Sequence, residues 1–178
     1  MDTSDQALAQ AAAAGDRAAF GDLLDRHYDR LFALAFRLTG DRAEAEDLTQ
    51  DICAALPAKL SRYDGRAKVT TWLYRVTVNA AHDRRRRRAA LGRASDGWGQ
   101  WEKARQSEIA EGKAQEAWLL SAMARLPDDL RDTLALILDE MTHAEAAEVL
   151  GLSEGTISWR ISEAKKRLKA LRDAEEAI

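Results

Sequence analysis

Apolar residues recur three and four positions apart along almost the whole chain, and that spacing restricts the fold to helices. Phe20, Leu24, Leu31, Leu34 and Leu38 make one stripe, and Leu48, Ile52 and Leu56 make another. Gly40 is placed to end the first of these helices. Asp41 followed by Glu44 has the spacing of a capping box for the next, which Pro57 is expected to close. Residues 61–69 read as a loop, because Asp64-Gly65 is a turn signal and the apolar spacing lapses there.

The stretch from Thr70 to Arg88 is contested by local preference. Val69, Thr70, Thr71, Val76, Thr77 and Val78 all favour strands. Strict alternation is absent, however, no partner strand is present, and Trp72, Leu73, Val76 and Ala80 fall at helical spacing. A helix is expected, running straight into five consecutive arginines, Arg84 to Arg88.

That basic run is unexpected in a chain with 27 Lys and Arg against 30 Asp and Glu, a net charge of −3. Charge is segregated along the sequence. Residues 61–93 carry 10 positive and 2 negative charges, whereas residues 94–150 carry 5 and 12. A second, smaller basic stretch runs from Arg160 to Lys169. Two basic surfaces separated by acidic ones suggest two contacts with a polyanion, since phosphate binding needs locally clustered cations whatever the total charge.

Several classes of protein are disfavoured. The apolar content suits a packed core but is too low for a membrane protein, and the N-terminal alanines are broken by Gly15, Asp16 and Arg17, so neither a signal peptide nor a membrane insertion is expected. The cytoplasm is the expected location. Cys53 has no cysteine to pair with, and His27, His82 and His143 lack a close second ligand, so no metal site and no cofactor are expected. G-x-S-x-G, P-loop and paired-histidine metal motifs are lacking, which argues against an enzyme.

Residues 89–114 are poor in apolar residues and contain Gly92, Gly97, Gly99 and Gly112, the composition of a flexible linker, with Trp98 and Trp101 as anchors to a surface. After it, Trp118, Leu119, Met123 and Leu126 predict one short helix, Pro127 punctuates, and Leu130, Leu134, Ile137 and Leu138 predict another. The expected architecture is all-α: two small helical domains, residues 1–88 and 115–178, joined by residues 89–114.

The most specific local pattern lies in residues 142–171. Thr142 with Glu145 is a capping box, Gly151 ends the short helix it starts, and Ser153 caps the next. Ala147 is small where two helices must cross, and Ile157 falls where the second packs on the first. This is the pattern of a helix-turn-helix. Ile157, Ile161, Ala164 and Leu168 form the inner face of the second helix; Trp159, Ser162, Glu163 and Lys166 point outward, flanked by Ser158, Lys165 and Lys169 and by Arg160 and Arg167.

Three blocks in this order, residues 27–51, 63–88 and 126–168, make the chain resemble the extracytoplasmic-function sigma factors, the smallest class of the sigma-70 family. The resemblance implies that the first domain is sigma region 2 and the second sigma region 4, with core RNA polymerase, promoter DNA and an anti-sigma factor as partners. On that likeness, Asp47, Gln50 and Asp51, on one helix face, would dock core polymerase. The loop from Arg62 through Lys68 to Thr70, with Trp72, Arg75 and Asn79, would capture unstacked bases of the −10 element, and Arg84, Arg85, Arg86, Arg87 and Arg88 would hold its backbone. Thr156, Ser158, Trp159, Arg160, Ser162, Glu163, Lys165, Lys166 and Lys169 would serve the −35 element, with Glu163 able to accept from cytosine N4 and Trp159 able to press on a thymine methyl. The linker would thread the RNA-exit path. The competing reading is a free-standing regulator that binds duplex DNA through the helix-turn-helix alone; it leaves Trp72 to Arg88 without a role.

Overall fold

A computed structural model of the chain describes residues 4–92 and 111–177. Among them every regular element is a helix: α1 Asp5–Ala13, α2 Arg17–Thr39, α3 Arg42–Leu60, α4 Val69–Ala90, α5 Glu111–Ala124, α6 Asp128–Leu138, α7 His143–Leu150 and α8 Glu154–Glu176. Trp98 and Trp101, proposed as anchors of the linker, lie outside the described residues, as does most of the linker itself.

Helix starts follow from local chemistry. The side chain of Ser4 accepts from Ala7 N, Asp16 accepts from Ala18 N and Ala19 N, and Asp41 accepts from Glu44 N at 2.8 Å, each supplying a partner for a backbone N–H that the first turn leaves unpaired. Gly40 ends α2 in the left-handed conformation at φ 72°, its N–H bonding back to Phe36 O. Helices α1 to α4 then pack around Leu31, Leu34, Leu48, Ile52, Leu60 and Leu73, all fully buried. Burying a side chain of this size contributes about 2 kcal/mol.

Two local expectations change. Pro57 does not close α3, which continues to Leu60. Proline deletes one hydrogen bond, but it lies on the exposed side of the helix, while Leu56 and Leu60 on the other side are both buried and hold the last turn in place. Along α4 the deepest stripe is Leu73, Tyr74, Thr77, Val78 and Ala81, whereas Trp72, Val76 and Ala80 are only partly covered. The hydroxyl of Thr77, fully buried, donates to Leu73 O at 2.9 Å, so a strand-favouring residue is satisfied inside a helix.

The second group of helices, α5 to α8, contains the helix-turn-helix. Thr142 and Glu145 form the reciprocal capping box, Gly151 ends α7 at φ 66°, and Ser153 caps α8 by accepting from Thr156 N at 3.1 Å. Ile157, Ile161 and Ala164 bury the inner face of α8. Helix α6 packs against α2 and α7 against α4, so the two groups share one continuous apolar cluster.

Candidate nucleic-acid interface

The loop between α3 and α4 is held from three directions. Tyr63 Oη donates to Ala67 O at 2.6 Å, Asp64 Oδ1 accepts from Arg66 N at 3.0 Å, and Gln6 Nε2 of α1 donates to Gly65 O at 3.3 Å. Gly65 sits at φ 76°, where only glycine is unstrained. The rings of Tyr63 and Trp72 lie 5.3 Å apart at 51°, so Trp72 is anchored on one side and partly open on the other. From the loop a single stripe runs along α4: Lys68, Trp72, Arg75 and Asn79, at intervals of four, three and four residues. Thus four of the residues expected at the −10 element share one face. Arg62 is exposed at the start of the loop.

That face is touched by the second domain at two of its cations. Lys68 Nζ lies 2.8 Å from Glu145 Oε1, and Arg75 Nη2 donates to Glu148 O at 2.8 Å. Asp132 of α6, 2% exposed, accepts from Arg85 Nη2 at 2.7 Å and lies 2.7 Å from His82 Nε2. Burial pushes the Asp132 carboxyl up, but the hydrogen bonds from His82 and Arg85 outweigh it and hold it below the ordinary carboxylate value. Asp139, at the end of α6, accepts from Arg30 at 3.1 Å, Arg37 at 3.3 Å and the Tyr74 hydroxyl. Burial first, then the Asp139 carboxylate, pushes the Tyr74 phenol well up. Asn79 is exposed at the rim of a cleft of about 750 Å³ between α4 and the second domain, opposite Asp129 and Arg160.

The arginine run is also largely paired within the chain. Arg84 Nη2 donates to Asp51 at 2.5 Å, Arg88 bonds Glu44, Arg86 bonds Asp83, and Arg85 bonds Asp132; Arg87 is exposed with no ion pair among the described residues. On the outer side of α3, Asp47, Gln50 and Asp51 are exposed on one face, as their spacing requires, with Asp51 shared with Arg84.

The outer face of α8 is different. Ser158, Trp159, Ser162, Lys165, Lys166 and Lys169 are exposed, Trp159 at 61%. Lys169 pairs with Asp173 at 2.8 Å, Glu163 accepts from Arg167 Nε at 3.0 Å, and Ser158 Oγ lies 3.0 Å from His143 Nδ1. Thr156 belongs to the cap, its Oγ1 2.9 Å from Ser153 Oγ. Arg160 turns inward, within 3.4 Å of Asp129 O and 3.5 Å of Thr133 Oγ1, against α6.

Similarity to known proteins agrees with this arrangement. The family described as Sigma-70 region 2 matches residues 23–91, and Sigma-70, region 4, matches residues 116–168. The ECF RNA polymerase sigma factor SigM of Mycobacterium tuberculosis (strain ATCC 25618 / H37Rv) is 37% identical over 174 residues, covering 94% of this chain and 84% of that protein. The chain belongs to the ECF RNA polymerase sigma factors. SigW of Bacillus subtilis (strain 168) is 29% identical over 89% of this sigma factor and 92% of its own length. The solved structure of CnrH in complex with the cytosolic domain of CnrY superimposes with a TM-score of 0.70 at 30% identity, covering 96% of this chain and 97% of that one.

Sequence reasoning missed the acidic partners Asp132, Asp139, Glu145 and Glu148, and it noted His82 only as a histidine without a metal partner. One signal was available for Asp132: it stands between Leu130 and Leu134, where an apolar stripe leaves little room for an unpaired charge. Gln6 and Tyr74 left no such trace. Among the described residues no helix is long and apolar enough to cross a membrane, and no His, Cys, Asp and Glu group could hold a metal ion.

Proposed function

We propose that this sigma factor divides promoter recognition between two faces, with residues 1–88 acting as region 2, residues 89–114 as tether and residues 115–178 as region 4. Asp47, Gln50 and Asp51 dock core polymerase through opposite charge. The Arg62 to Thr70 loop, with Trp72 half open beside Tyr63 and with Arg75 and Asn79, receives unstacked −10 bases; aromatic and amide groups suit them, and the basic run after Asp83 suits the adjoining phosphates. Ser158, Trp159, Ser162, Lys165 and Lys166 of α8 enter the −35 major groove. Arg160 supports α8 against α6 rather than reaching DNA. The protein works in the cytoplasm as a non-enzymatic subunit of polymerase.

The observation that carries this reading is the single stripe of Lys68, Trp72, Arg75 and Asn79 beside a loop fixed on both sides. The same stripe carries a condition. A guanidinium or ammonium bonded to Glu145, Glu148 or Asp132 is not available to phosphate, so these pairs part before the −10 element is engaged. An anti-sigma protein that stabilises the closed arrangement would block transcription without covering every DNA-binding residue, and the complex of CnrH with CnrY supports a partner of that kind.

Run-off transcription with purified core polymerase tests the proposal, using genomic fragments that include the region upstream of the gene itself. Discrete transcripts requiring both components are expected. Duplex binding by the isolated chain, with no response from core polymerase, would contradict it.

A further inference from the structure

Within the loop between α3 and α4, the bonds of Tyr63 to Ala67 O and of Asp64 to Arg66 N close the chain on itself without fixing where the loop lies on the domain. Gln6 of α1 ties it down: its Nε2 donates to Gly65 O at 3.3 Å, across 59 residues of sequence. Glycine is required at position 65 for two reasons. Its φ of 76° leaves no strain-free place for a side chain, and a Cβ there would stand 3.2 Å from Gln6 Nε2, closer than such contacts ordinarily come. The second reason exists only because the Gln6 amide lies against the loop. The first turn of a helix frays unless something holds it, and Asp5, the residue before Gln6, does so. Its Oδ2 lies 2.7 Å from Nε2 of His27, which is 5% exposed, its Oδ1 accepts from Arg26 Nη1 at 3.0 Å, and Leu8 and Ala9 bury the next turn. The turn that reaches the loop is therefore itself anchored on α2. No residue of α1 is basic, so the helix has nothing with which to hold phosphate directly.

From this arrangement we infer that Gln6 is a positioning residue for −10 recognition: through the Gly65 carbonyl it holds the loop in the place from which the loop and Trp72 receive an unstacked base. The inference rests on the reading of that loop as the −10 pocket. An unstacked base is held by stacking and by hydrogen bonds to its edge, and both need the walls of the pocket in place when the base arrives. A loop that has to be ordered on binding loses part of that affinity to its own ordering. Tyr63 links the tie to the pocket, since it stands two residues before Gly65 and its ring lies 5.3 Å from that of Trp72. Gln6 touches no base in this account and acts only through the loop.

The test uses holoenzyme, full-length chain with core polymerase, on a promoter whose start site has been mapped by run-off transcription and whose −10 element is pre-melted by mismatches. Gln6→Met keeps the length and helix preference of the side chain and deletes the donor. Each −10 base of the non-template strand is replaced in turn by an abasic residue, and competitive binding is measured for the variant and the unmodified protein. On the intact strand Gln6→Met should bind about threefold more weakly, the worth of one exposed hydrogen bond. At one abasic position the two proteins should bind alike, because no base remains for the loop to receive. A threefold loss that persists at every abasic position would make Gln6 merely structural and overturn the inference while the −10 reading stands. The absence of any loss, on a strand whose abasic positions do weaken the unmodified protein, would overturn it in the same way. If no abasic position weakens the unmodified protein, the loop receives no base and both fall.

Discussion

Along α4, Lys68, Arg75 and Arg85 each meet a carboxylate or carbonyl of α6 or α7, whereas along α8 the side chains of Trp159, Ser162, Lys165 and Lys166 are exposed and without partners among the described residues. Both faces are basic, and both were expected at DNA. What separates them is the origin of their neighbours. The acids near α8, Glu163 and Asp173, lie one turn from the cations they pair with and satisfy them locally, leaving the front of the helix clear. The partners on α4 come from 47 to 77 residues away, from the second domain. A surface neutralised by a distant segment is a surface that can be uncovered.

The comparison breaks first at Asp132. Asp132→Ala leaves Arg85 half-buried with its best partner gone, and losing one member of a buried pair costs about 3 kcal/mol, on the order of a hundredfold in the balance between docked and separated domains. Spin labels on α3 and α8 should report longer distances in this variant, with helix content unchanged by circular dichroism. An unchanged distance distribution would show that apolar packing alone holds the domains. Acid acts in the same direction. Since the Asp132 carboxyl lies below its ordinary value in the docked protein, its pairing contributes fully above about pH 4 and is lost as pH falls through the lowered value, so docking measured from pH 8 to pH 5 should not weaken on this carboxylate's account.

Trp72→Ala comes next. Loss of one stacked base is worth about 2 kcal/mol, so permanganate reactivity of −10 thymines should fall roughly thirtyfold while affinity for core polymerase holds. Equal loss of both would remove Trp72 from the DNA face. The double change Asp47→Lys and Asp51→Lys should show the converse, weaker core binding of about tenfold by competition with unmodified protein. Normal core affinity would place the polymerase contact elsewhere.

Thr142→Ala removes the cap of α7, which costs about 1 kcal/mol and should lower the urea midpoint of the helix-turn-helix without changing the spacing of the two domains. The smallest effect belongs to Glu145→Gln. Lys68 is mostly exposed, so losing this pair should weaken docking only slightly, and salt should erase the difference.

The helix-turn-helix was legible because everything that specifies it is local: Thr142 finds Glu145 three residues on, Gly151 needs only its own φ, and Ser153 caps from the adjacent turn. The α4 helix was legible for a related reason, the spacing of its apolar residues outweighing the strand preference of Thr71, Thr77 and Val78. Pro57 misled because a single residue's preference gave way to the burial of Leu56 and Leu60. Docking was not legible. It depends on Asp132 meeting His82 and Arg85 across about 50 residues of sequence, and no spacing rule predicts which acid will cover which base. The five arginines therefore read as an open grip, whereas four of them are engaged within the chain.

The central claim, that one face of α4 serves the second domain in the unbound chain and DNA during initiation, can be tested by zero-length carbodiimide coupling of Lys68 to Glu145, whose charged atoms lie 2.8 Å apart. Peptide mass spectrometry should find the Lys68–Glu145 amide in the isolated protein and lose it when the sigma factor is bound to core polymerase on promoter DNA. Equal yields in both states would mean that the domains stay docked during initiation, and that the −10 element is read somewhere else.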